Sequence, residues 1–68
     1  VSELNQAQRE ALLASADKHE DAAKEINATC DRLATAGYTI YAKALKEVAI
    51  QMIRHVDDAR DLARKTDS

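Results

Sequence analysis

The chain has 68 residues, with twelve acidic and ten basic side chains, a formal net charge of −2, one Cys, one Gly and no Pro, Trp or Phe. That length suits one domain with a marginal core, and a lone Cys excludes a disulfide within the chain. Acids and bases are spread over both halves, seven and four in residues 1–34 and five and six in 35–68, which argues against a nonspecific nucleic-acid surface.

The first helix is expected over about residues 3–35. Ser2 or Asn5 can cap it, and Asn5-Gln6-Ala7-Gln8 fits a capping box with Gln8 reaching back. Apolar and small residues then recur in alternating steps of four and three, through Leu12, Ala16, His19, Ala23, Ile26, Cys30 and Leu33. Such a repeat is a heptad seam.

A turn is expected at about 36–38. Gly37 suits a left-handed residue after a helix end, and Thr39 can cap the helix that follows. Tyr38 is placed to plug the hairpin end or to anchor a partner. The alternative is one unbroken helix roughly 100 Å long at ~1.5 Å per residue.

The second helix is expected over about 39–65. Its seam reads Tyr41, Leu45, Val48, Met52, His55, Ala59 and Leu62, with a flanking row of Ala42, Ala49, Val56 and Ala63. Together these make a stripe wider than one partner helix covers. The expected fold is all-α: an antiparallel helical hairpin within a single domain, dimerising into a four-helix bundle. The association surface and core are expected to draw on Leu12, Ile26, Leu33, Tyr41, Leu45, Val48, Met52, Val56 and Leu62. A chain this small gains stability from such association.

His19 and His55 both stand eighteen residues from Gly37, so a hairpin folded there sets them in one layer. Three readings are open. They are neutral, hydrogen-bonded residues at the seam edge; or a pH switch, since imidazole titrates near pH ~6.5; or half of a tetrahedral Zn²⁺ shell, with carboxylates or a second pair completing it. The Glu-x-x-His pattern of di-iron bundles is absent, Ala16 and Met52 standing three residues before the histidines. Cys30, on the seam, reads as a small buried hydrophobe.

No phosphate loop, Cys-x-x-Cys pair or Ser/His/Asp set is present. The expectation is a noncatalytic protein–protein interaction module without a cofactor, the metal-binding or pH-sensing bundle being the alternative and a regulatory adaptor a third class. Its partner would be a second copy or another helical protein. The longest uncharged run, Leu33 to Ala42, covers ten residues, far short of the ~20 a membrane span requires. Glu3, Arg9 and Glu10 interrupt any early apolar run, so no signal peptide is visible. With one free thiol, a cytoplasmic protein is expected.

The central Ala36-Gly37-Tyr38, the segment from Ala16 to Ala23 and an Ala-rich second helix ending in Thr66-Asp67 resemble the Trp-x-Gly helical-hairpin proteins of type VII secretion. That resemblance implies a dimeric four-helix bundle secreted without a cleaved signal peptide. The turn lacks the family's Trp, and the tail Ala63-Arg64-Lys65-Thr66-Asp67 lacks the Tyr of its Tyr-x-x-x-Asp signal.

Overall fold

A computed structural model describes residues 4–66. Two helices, α1 (Gln6–Thr35) and α2 (Thr39–Lys65), fold back on each other as a hairpin 52 Å long, 14 Å wide and 10 Å deep between Cα atoms. The single long helix is thereby excluded.

α1 starts at Gln6, three residues after the expected start near residue 3, with Asn5, one of the two expected caps, in the cap position. Asn5 Oδ1 accepts from the Gln8 backbone N–H at 2.8 Å, and Gln8 Oε1 accepts from the Asn5 N–H at 3.0 Å. This reciprocal pair satisfies two donors that the first turn leaves without helical partners. The alternative cap, Ser2, lies outside the described residues. Asn5→Ala is expected to cost ~1 kcal/mol, measurable by urea denaturation.

At the other end, Gly37 takes φ +95°. Its N–H donates to the Ala34 carbonyl at 3.1 Å, and the Tyr38 N–H donates to the Leu33 carbonyl at 2.9 Å. These two bonds form a Schellman closure. A Cβ on Gly37 would meet nothing within 4 Å, so Gly37→Ala carries a pure backbone penalty of ~1–2 kcal/mol. Thr39 does not cap α2, contrary to expectation. It is already the first helical residue, and Tyr38 occupies the cap without a side-chain hydrogen bond. The closure consumes the loop, so the Tyr38 carbonyl directly accepts the Ala42 N–H at 2.9 Å.

The buried apolar residues fall into two rows of strict seven-residue spacing: Ala16, Ala23 and Cys30 on α1, and Ala42, Ala49, Val56 and Ala63 on α2. With only two helices packed, these rows must face each other. Small side chains let the axes approach to the ~8 Å end of the usual range. The core is correspondingly thin. Val56 is the largest fully buried side chain among the described residues, and each Ala contributes little apolar area.

Helix two therefore turns by about half a stripe from the expected position. Its flanking Ala/Val row lines the core, while Tyr41, Val48 and Leu62, expected in the seam, remain 68%, 47% and 45% exposed. Close approach of two backbones favours the row without bulk, and the larger side chains are displaced to the flank.

The hairpin exposes 5216 Å², about 1,000 Å² more than the ~4,250 Å² that its 7.5 kDa mass predicts for a compact monomer. The excess follows from its rod shape. Among the described residues, no helix is long and apolar enough to cross a membrane.

Candidate functional site: an uncharged face opposite a charged one

The seven-residue rows define what stands on each side. One cleft is lined by Ser15, Ala16 and His19 of α1 and by His55, Val56 and Ala59 of α2. It marks a common flank of the two buried rows. In an antiparallel pair, the rows three and four residues from the buried row on this flank lie side by side. On α1 they are Leu12, His19, Ile26 and Leu33, with Gln8, Ser15, Ala22 and Thr29 beyond them. On α2 they are Leu45, Met52, Ala59 and Thr66, with Tyr41, Val48, His55 and Leu62 beyond.

None of these sixteen positions carries Asp, Glu, Lys or Arg. The chain as a whole is 32% charged, so a random draw would place about five charges here. Leu12, Ile26, Leu33, Leu45 and Met52 are half-buried. Eight of the nine residues predicted for the interface and core line this flank. The ninth, Val56, is inside the hairpin at 2% exposure.

The other flank is built from charge. Arg60 of α2 reaches across the hairpin, donating from Nη1 to Glu20 Oε2 at 2.7 Å and from Nη2 to Asp17 Oδ1 at 2.9 Å. Lys24 reinforces Glu20 at 3.8 Å along α1. The hydrogen bond from Arg60 holds the Glu20 carboxyl below the usual carboxylate range, and the bonds to Glu20 and Asp17 hold the guanidinium above its own. Glu20 thus binds its proton less readily folded than unfolded. Its stabilising contribution is full above the ordinary carboxylate pKa and is lost as the pH falls through the lowered one. Glu20→Gln should accordingly flatten the acid limb of the stability curve below the ordinary carboxylate pKa, read as melting temperature against pH.

Sequence reasoning missed this clamp. Glu20 and Arg60 are forty residues apart, beyond the reach of rules for i,i+4 pairs. The available signal was that both stand four residues from the buried row, Ala16 to Glu20 and Val56 to Arg60.

His19 and His55 edge the same cleft, as the eighteen-residue symmetry about Gly37 predicts. Among the described residues, no group of three or more His, Cys, Asp and Glu side chains is placed to hold a metal ion. Cys30 is buried in the α1 row. Tyr38 and Tyr41 meet edge to face, with ring centroids 6.2 Å apart, on the exposed tip of the turn.

No protein family, curated protein or solved structure matches the chain.

Proposed function

We propose that the chain is a noncatalytic association module whose uncharged flank packs against the same flank of a second copy, giving a four-helix bundle. The observation that carries this reading is the run of sixteen positions without a charge, opposite a flank that holds an interhelical ion cluster. A flank with no charge has none to repel its own image, so it suits an isologous, two-fold contact.

Size supports the same reading. A face 52 Å by 14 Å between Cα atoms offers about 700 Å², close to the ~800 Å² each partner contributes to a standard-size interface. Large side chains on this flank stay partly exposed in the single hairpin, Tyr41, Val48 and Leu62 among them, and a contiguous exposed apolar patch marks an interaction site. The thin Ala core gives a further reason, because the larger side chains of the hairpin contribute fully only when their outer edges leave water.

Sedimentation equilibrium tests the reading directly. The expected result is a species of twice the 7.5 kDa chain mass, with thermal stability that rises with protein concentration. A folded 7.5 kDa species whose melting temperature is independent of concentration would remove the basis for self-association.

A further inference from the structure

The cleft between His19 and His55 encloses about 140 Å³ and is otherwise lined by Ser15, Ala16, Val56 and Ala59. Its walls carry no charge. His19 Nδ1 lies 2.7 Å from the Ser15 carbonyl oxygen and 3.3 Å from the Ser15 hydroxyl. A carbonyl oxygen only accepts, so the shorter contact requires the proton on Nδ1. The neutral ring then carries its lone pair on Nε2. An imidazole N–H given to a backbone carbonyl is the arrangement that orients metal-binding histidines and raises their basicity. Both rings are exposed, so an ion can reach them.

Resting on the self-association proposed above, we infer that His19 and His55 are half of a divalent-metal site, which the same two residues of the second copy complete. The four nitrogens would hold one ion of the Zn²⁺ class, which prefers imidazole and four-fold coordination. One chain supplies two imidazoles, and no third ligand joins them among the described residues, so the site draws its remaining ligands from the second copy.

Position along the rod makes the meeting feasible. The midpoints of α1 and α2 fall near residues 20 and 52, which puts both histidines within about 5 Å of mid-length at ~1.5 Å per residue. A two-fold axis along the rod sets the pairs in one layer. A two-fold through the middle of the face leaves them within about two helical turns, and sliding the hairpins closes that gap.

The charged residues nearest the histidines in sequence are Lys18 and Glu20 on α1 and Arg54 and Asp57 on α2. None of them lines the cleft, and Glu20 is held by Arg60 on the opposite flank.

The test is sedimentation equilibrium with calorimetric titration of the full chain, in ZnCl₂, MgCl₂ or EDTA at pH 7.5, alongside His19→Ala/His55→Ala. Both side chains are exposed, so the double variant retains the fold. The expected result is one Zn²⁺ per two chains and at least a tenfold tighter dimer at pH 7.5. Mg²⁺ and the double variant should each abolish the effect. A chain equally dimeric in EDTA and in Zn²⁺ overturns the metal site and leaves self-association standing. A chain monomeric under every condition overturns both. Zn²⁺ bound one per chain, or bound equally by the double variant, overturns the shared site.

Discussion

Ala49→Leu is expected to destabilise the hairpin by ~1–3 kcal/mol or more, although it adds apolar surface to a core that is short of it. Ala49 is 1% exposed and belongs to the row that faces Ala16, Ala23 and Cys30. The two backbones approach closely because that row is small. Three further heavy atoms must force the axes apart or take a strained rotamer, and neither flank relaxes freely. On one side, Arg60 ties α2 to Glu20 and Asp17. On the other, parting the helices opens the half-buried edges of Leu45 and Met52 to water. Ala44→Leu, on the exposed surface of α2, is the control and should fall within about ±0.5 kcal/mol. Val56→Ala, which empties the largest fully buried site, should cost ~2 kcal/mol. Urea denaturation of the three variants separates the cases. A neutral or stabilising Ala49→Leu would mean that the helices are not in close contact along the alanine rows.

Val48→Lys is expected to do the opposite: little to the isolated hairpin and a great deal to association. Val48 is half exposed in the single chain, so a lysine there keeps its ammonium in water at small cost. Within the proposed dimer each copy would carry that charge into a flank that has no acid to receive it. Taking an unpaired charge out of water costs several kcal/mol after relaxation, and the two-fold contact incurs it twice. The dissociation constant should rise by at least a factor of ~10³, equivalent to ~4 kcal/mol. Sedimentation equilibrium reads the loss, and circular dichroism at high protein concentration checks that the helices persist. Val48→Ser, which removes apolar area without adding charge, should weaken the dimer by a smaller factor. A folded Val48→Lys chain that associates as tightly as the parent would place the contact elsewhere.

The two predictions separate two rows that periodicity alone does not rank. Along α2, the series from Tyr41 to Leu62 and the series from Ala42 to Ala63 are both heptads and lie side by side. Reading the larger side chains as the inner seam follows the ordinary weight given to hydrophobic bulk. The hairpin instead sets its alanines inside. The same preference leaves Leu45 and Met52 half covered, and it puts His19 and His55 on an open flank rather than between the helices.

Local chemistry was therefore legible in the residues themselves: the Asn5–Gln8 capping box, the left-handed Gly37, both helices, and the matching of His19 with His55 by equal distance from the turn. Each of these depends on groups close in sequence, or on symmetry about one residue, so no knowledge of packing is needed. The tertiary structure decided which row of α2 faces inward and that Arg60 closes one flank onto Glu20 and Asp17. It also decided that the ion pairs between the helices form on that flank, while the other carries no charged side chain. Those outcomes depend on how closely two helices approach and on pairs forty residues apart, and helical periodicity specifies neither distance.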